Sequence, residues 1–590
     1  MQSSITPTKL KLISWLVYLV FLLNVGFLIR WQVFEHDHFV AIARERIVDH
    51  NVPSIRGEIL AADGSSLAYS EPRFNIVVYK TELEFAEEYN KQTRKEFVEK
   101  VSTVLNIENS EFEELFEGDQ DWIKVKERVS NAKKEEVLNL KRDNAPEESL
   151  QGLRIEYTSK RIYPEGTLAC HAIGFVGKND IGEDLGRAGL EYYWEGLLKE
   201  QEGFDYTEVD SFGNLIAIDN VETIEAKRGA TVYTTIDKNI QMILESHLEN
   251  AVKKYDAKSA SAIVMDPRTG ALMGLANYPE FDPNTYDEVE DNLSFKNAAI
   301  SDPAELGSVG KAFTMAAALE EGKIEPNTVV SNGHSGCVTI KEKERDWEIC
   351  TYDKKPQGSM TAVQALVNSD NLALYEVSKL IGNEKFDEYL RAFGIGKRTD
   401  IDIAGESNGV LKDISEWTNV DSATYAFGHS YQMTPLQAIT GIGAIANDGE
   451  LMRPYLVSKV VEEDDKEKVF APTVVNQPIG LNTSEKLKAM MYEVFKVNLV
   501  ENRYKNLSQY RIAMKSGTAL IPYRDRAGYS DEVNATYVGF DASDEATFIM
   551  LVKIEEPKAV KRLSYYSARI LWLDIFVEMK DYLGVPNVGG

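Results

Sequence analysis

Gly307-Ser308-Val309-Gly310-Lys311, followed by AFTMAAALEEG at 312–322, is the stretch on which the fold turns. The run after Lys311 is rich in alanine, leucine and methionine, all strong helix formers. Ser308 therefore stands at a helix N-terminus, with Gly307 permitting a sharp entry. A serine and a lysine three residues apart share one helical face. A lysine held close, desolvated and near another cation loses its proton near neutral pH, and can then take the serine proton. Backbone N–H groups at the helix start favour the negative charge that develops. Spacing alone is weak, because roughly one or two SxxK matches arise by chance in a chain this long. One decoy is visible, Ser130 to Lys133, in a charged stretch without the glycine entry; it reads as a solvated face.

Two further motifs follow in order. Ser369-Asp370-Asn371 comes after the helix-like TAVQALVN of 361–368, so a hydroxyl and an amide can enter one cleft from a turn. Taken alone it reads equally as a polar loop or helix cap. Lys515-Ser516-Gly517-Thr518 continues the apolar run RIAM at 511–514. A strand carrying Lys, Gly and hydroxyl residues can line a cleft, with Gly517 admitting a substrate backbone and the Thr518 N–H available to an oxyanion.

Around these motifs the pattern is α+β. Residues 259–265 and 271–277 predict strands joined by the turn-rich Asp266 to Gly270, and 536–540 and 546–554 predict a second hairpin. Asp237 can cap a helix over about 240–255, and a last helix runs over about 567–583 with Ile570, Leu573 and Phe576 or Val577 on one face. Strands at both ends with helices between imply a sheet closed by distant segments. Upstream, Asp63-Gly64 reads as a turn and Phe74 to Tyr79 as a buried strand. Residues from Glu82 to about Asn144 read as charged helix, and about 150–225 as β-rich.

The N-terminal run LISWLVYLVFLLNVGFLI, Leu12 to Ile29, carries no charge. It is long enough to span a bilayer core of about 30 Å with help from its flanks. Lys9 and Lys11 precede it, and Arg30, Glu35 and Asp37 follow it, a positive bias that favours the N-terminus inside. No small-residue cleavage site follows in IRWQVFEHDHF, so the expectation is an uncleaved anchor. Residues 31 to about 50 read as a helical exit.

The formal net charge of −29 argues against a nucleic-acid partner, which needs a basic face. Three cysteines, Cys170, Cys337 and Cys350, show no CxxC spacing, so no metal or redox motif is implied. Cys337 and Cys350 flank a short charged stretch; a disulfide across a hairpin and two unrelated buried thiols both fit.

SxxK, SDN and KSG in this order form the set shared by β-lactamases and penicillin-binding proteins. The chain resembles the class B penicillin-binding proteins over nearly its whole length. RGEILAADGSSLAYS (56–70), RIYPEGTLACHAIGFVG (161–177) and GRAGLEYYWEGLL (186–198) are similar to that family's pedestal motifs. TIDKNIQ (235–241), DPRTGALMGLANYPEFDPN (266–284) and FGHSYQMTPLQAITGIGAIANDG (427–449) are similar to landmarks of its catalytic domain. The resemblance implies a cytoplasmic tail at 1–11, a transmembrane helix at 12–29, a non-catalytic pedestal or dimerisation domain at 30–225 and a transpeptidase domain at 226–590.

It also implies a reaction. Ser308 is acylated by the penultimate D-Ala of a peptidoglycan stem peptide and Lys311 is its base. Ser369 relays a proton, Asn371 orients Lys311 and the substrate amide, and Lys515, Ser516 and Thr518 bind the terminal carboxylate beside Gly517. The N–H groups of Ser308 and Thr518 hold the oxyanion. An amine on a second stem then makes the cross-link, β-lactams acylate the same serine, and no cofactor or metal is needed. Implied partners are the lipid bilayer and a polytopic membrane glycosyltransferase within a cell-wall synthesis complex. His429 reads as structural, and FGHSYQMTPLQ leans toward division rather than elongation. Leu306 stands where the family usually has proline, and Leu520 where it usually has a polar residue. The rival classes are a β-lactamase or carboxypeptidase, which sends water to the acyl-enzyme, and a sensor or scaffold without catalysis.

Overall fold

The computed structural model describes residues 7–30, 47–52, 54–89, 93–118, 120–143, 150–180, 182–201, 203–209, 215–216, 225–342, 345–523, 528–561 and 563–587. The chain divides into two compact units, residues 1–55 with 200–228, and residues 56–199 with 229–590.

In the first unit, Pro7–Ile29 is helical and contains the apolar run. Its side chains from Trp15 to Asn24 are exposed. Among the described residues no helix is long and apolar enough to cross a membrane. Of the helical exit expected over 31–50, residues 31–46 lie outside the described residues. Residues 47–52 are a strand instead, paired antiparallel with Gly203–Val209. IVDHNV has neither a helical nor an alternating pattern, so its extended form is set by the partner strand rather than by local sequence.

The second unit holds everything else. In its upstream part, Ile59–Leu60 folds back on Ser66–Tyr79 across the Asp63-Gly64 turn, where Gly64 has φ +82°. The same short strand runs parallel to Thr231–Thr234. Residues 82–144 are not all helix. Helices Arg94–Leu105 and Asn131–Asp143 flank a strand, Trp122–Val129, which pairs with Ser66–Tyr79. Its sequence WIKVKERV alternates apolar and polar, a period of two that the surrounding charge obscures. In the decoy, the Ser130 hydroxyl accepts from the Lys133 N–H as a helix start, and Lys133 bonds to the Val104 carbonyl and Glu136.

Labels are reserved for the elements that build the catalytic region: α1 (Lys238–Tyr255), β1 (Ser259–Met265), β2 (Leu272–Tyr278), α2 (Lys311–Glu320), β3 (Cys337–Ile340), β4 (Trp347–Cys350), α3 (Asn371–Ile381), α4 (Pro435–Ala446), β5 (Ile512–Pro522), β6 (Tyr529–Asp541), β7 (Ile549–Glu555) and α5 (Ala568–Met579). The antiparallel sheet has the order β2-β1-β7-β6-β5. Both expected hairpins are present, and β1 joins β7 from the far end of the chain, Ser259 opposite Glu555. Asp237 caps α1, accepting from the N–H groups of Asn239 and Ile240. Helices α1 and α5 pack against each other and against the sheet. Helix α4 is buried at every position and α2 from Lys311 to Leu319, so the core runs between sheet and helices. β5, which carries Lys515 to Thr518, is an edge strand.

Candidate active site

Gly307–Gly310 forms one tight turn that leads directly into α2. Gly307 has φ +58°, and a Cβ there would lie 2.5 Å from the Thr518 carbonyl oxygen. At Gly517 a Cβ would lie 2.0 Å from the Leu306 carbonyl oxygen. Two glycines thus let the serine turn lie directly on β5, which side chains would prevent. The Lys311 N–H donates to the Ser308 carbonyl, closing the turn and putting both side chains on one face. Ser308 is half-buried and Lys311 fully buried.

The Lys311 Nζ donates to the Ser369 carbonyl at 2.5 Å, to Asn371 Oδ1 at 2.8 Å and to Ser369 Oγ at 3.1 Å. The Lys515 Nζ approaches the same Ser369 hydroxyl at 3.0 Å and bonds the Ser516 carbonyl at 3.0 Å. Three motifs separated by up to two hundred residues of chain therefore meet at one hydroxyl. Ser369 holds φ +53°, a conformation that costs a non-glycine residue free energy and that functional sites retain. Ser516 and Thr518 are half-buried, Gly517 buried, and the Thr518 hydroxyl donates to Ser564 Oγ and accepts from the Ser564 N–H, both at 3.0 Å.

Burial pushes the Lys311 ammonium well below its usual range; the neighbouring Lys515 charge adds to this, and Asp370 opposes it. Burial alone brings Lys515 down to about 7. Both lysines are thus biased toward the neutral form, and an arriving anion would favour the charged form of Lys515.

The shell behind these groups was not legible in the motifs. Asn371 Nδ2 donates to the Cys350 carbonyl at 2.9 Å, which fixes which way its amide faces Lys311. Cys350 on β4 is bonded to Cys337 directly opposite on β3; of the two readings left open, the disulfide is the one observed. Asp370 caps α3 through the Ala373 N–H and contacts His334 Nε2 at 3.0 Å. The Gly336 N–H donates to His334 Nδ1, leaving Nε2 to carry the proton toward Asp370. His334 and the β3–β4 hairpin are far from the motifs in sequence and carry no spacing signal. Among the described residues the one metal-type cluster, Cys337, Glu348 and Cys350, contains the disulfide sulfurs themselves.

A hydroxyl at a helix start, a buried lysine one turn on and a second lysine on an edge strand are the parts of a serine acyltransferase. The penicillin-binding protein transpeptidase domain family model matches residues 260–571, and the penicillin-binding protein dimerisation domain model matches 51–234. The chain belongs to the penicillin-binding protein transpeptidase family. It is 27% identical over 510 residues to stage V sporulation protein D of Bacillus subtilis, covering 85% of this chain and 74% of that one. It is 26% identical over 421 residues to the peptidoglycan D,D-transpeptidase FtsI of Escherichia coli, covering 71% and 66%. Its fold is similar to penicillin binding protein 2X from Streptococcus thermophilus, at TM-score 0.74 and 20% identity over 92% of this chain and 82% of that one. Penicillin binding protein 3 from Mycobacterium tuberculosis, complexed with aztreonam, aligns at TM-score 0.67 and 21% identity over 91% and 98%.

Proposed function

We propose that the chain is a peptidoglycan D,D-transpeptidase in which Ser308 carries the acyl group. The supporting observation is the convergence of Lys311, Ser369, Asn371 and Lys515 beside the turn that bears Ser308. Neutral Lys311 takes the Ser308 proton as Oγ attacks the carbonyl carbon of the penultimate D-Ala. The oxyanion is held by the N–H groups of Ser308 and Thr518. The C–N bond breaks, and the leaving D-Ala amine takes the proton from Lys311 through the Ser369 hydroxyl, which lies between the two lysines. Lys515, with Ser516 and Thr518, receives the substrate carboxylate, and binding that anion restores the lysine's charge. An amine of a second stem then displaces Ser308. A β-lactam enters the same site, and its acyl-enzyme keeps the leaving group tethered.

The rest of the reading concerns location. The uncharged run from Leu12 to Ile29 would anchor the chain as a single pass in the cytoplasmic membrane, with residues 1–11 inside and the catalytic region outside. There it would work beside a polytopic glycosyltransferase, in septal or lateral wall synthesis. Labelling with a fluorescent penicillin and mapping the adduct by mass spectrometry tests the chemistry. The adduct is expected on Ser308 and absent from Ser308→Ala; an adduct elsewhere overturns the assignment. Extraction at alkaline pH tests the anchor: the full chain should stay with the membrane pellet.

A further inference from the structure

Acylation leaves one buried acidic group beside the serine turn without a task. Glu305, three residues before Ser308, has a side chain 5% exposed. Its Oε1 accepts from the Tyr529 hydroxyl at 2.9 Å. Its Oε2 lies 3.1 Å from His429 Nδ1, outside hydrogen-bonding geometry and with no other donor among the described residues. A buried carboxylate oxygen with an open lone pair is costly unless a cation completes it.

The cluster is built against the nucleophile. Ala304 exchanges backbone hydrogen bonds with Met433, which pins the 428–433 loop alongside the strand leading to Ser308. A Cβ on Gly428 would lie 1.9 Å from the Gly307 carbonyl oxygen, so His429 is one residue from a backbone in contact with the residue before Ser308. The Tyr431 hydroxyl is buried against Gly310 without a partner. Tyr529 is paired with Pro522 at the end of β5 beyond Thr518. The His429 ring is 24% exposed, so one edge of it reaches solvent. The charged and titratable groups around it are Glu305, Tyr529 and Tyr431, with the Phe427 ring at 5.5 Å.

The second half-reaction needs what this cluster offers. An alkyl amine acceptor arrives as an ammonium, since its pKa is about 10.4, and an ammonium does not attack an ester. One proton must leave before attack, in addition to the one that Lys311 and Ser369 shuttle. We propose that His429, held beside the buried Glu305 carboxylate, forms the acceptor site: its solvent-facing ring edge removes the extra proton of the acceptor ammonium, and the carboxylate at 3.1 Å stabilises the imidazolium. Imidazole plus R–NH3+ gives imidazolium plus R–NH2, and the imidazolium passes its proton to water at the exposed ring edge. The amine nitrogen then bonds to the acyl carbon and the bond to Ser308 Oγ breaks. The second amine proton returns to Oγ through Lys311. Glu305 and Tyr529 are positioning residues for the imidazole.

The inference rests on Ser308 being the acylated serine, and the test separates the two. Full-length wild-type and His429→Gln chains are given an acyl-D-alanyl thioester donor and one of two acceptors. Nα-acetyl-lysine amide is an ammonium at neutral pH; trifluoroethylamine is already neutral. The readout is the ratio of amide to hydrolysis product, with penicillin labelling as a check on the fold. In His429→Gln the ratio should fall about tenfold or more for the lysine acceptor and stay within about twofold for trifluoroethylamine. Raising the pH toward that of the free amine should restore it. Glu305→Gln should give the same pattern. Equal falls for both acceptors, no fall for lysine, or loss of penicillin labelling in both variants overturns the acceptor site. Failure of the wild-type chain to label at Ser308 overturns the proposed function instead.

Discussion

Two lysines of one chemical type are given different work by their surroundings. Lys311 is enclosed and faces Lys515, which together bias it strongly toward the neutral form; Lys515 is lowered to about 7. Acylation of the free enzyme needs the first neutral and the second charged. The penicillin acylation rate should therefore fall as pH rises through about 7, by about tenfold per pH unit beyond it. Lys515→Arg keeps its charge over that range, so its profile should be flatter on the alkaline side, as stopped-flow labelling would show. Asn371 offers a sharper case. Asn371→Asp places a carboxylate where Oδ1 meets Lys311 and removes the donor to the Cys350 carbonyl. An adjacent anion favours the ammonium, so the Lys311 pKa rises and acylation at neutral pH should drop by about a hundredfold or more, with the pH of maximal rate moved upward. An unchanged pH profile would show that Lys311 is not the base. The site was legible at this scale because SxxK, SDN and KSG are short and each sits inside one element. Glu305, His334 and His429 were not, since each acts through a partner brought in by the fold.

Helices α2 and α4 carry the consequences of packing into chemistry. Both are buried along nearly their whole length, and α4 meets α2 through a glycine. A Cβ on Gly441 would lie 3.0 Å from the ring of Phe313, two residues after Lys311. Gly441→Ala must displace that ring, and overpacking of this kind costs about 1–3 kcal/mol. The expected result is a modest fall in melting temperature with a larger relative fall in acylation rate, because α2 sets where Lys311 points. Equal rates in variant and wild type would mean that the ring moves without the helix. At the element scale the sequence placed α1, both catalytic hairpins and α5 within a few residues. It missed Trp122–Val129 because charge on the polar positions hid an alternation that burial makes plain: Ile123, Val125 and Val129 are buried. It also extended a helix across 47–52, where the partner strand lies about 150 residues away and leaves no local signal.

The upstream segments around residues 56, 161 and 191 are tied together by buried charge as well as by the apolar core they share with the catalytic region. Glu191, fully buried, accepts from Arg56 Nε at 2.8 Å and Arg161 Nε at 2.6 Å, while Arg56 also reaches Glu195. Burial opposes ionisation of Glu191, but the two guanidiniums outweigh it and hold the carboxyl below its ordinary value. Glu191→Gln leaves the buried Arg161 without its anion and Arg56 with Glu195 alone, which should cost about 3–5 kcal/mol and lower the urea midpoint of the full chain. A midpoint unchanged from wild type would mean that water reaches the cluster. A different consequence follows from the sheet. β1 pairs with β7, and Ser259 and Glu555 are 296 residues apart. At about 5–20 residues per second of synthesis, β1 waits some 15–60 s for its neighbour to be made. Throughout that interval a strongly apolar strand has bare amides along one side, so the newborn polypeptide must be escorted or kept from its siblings until its last tenth emerges.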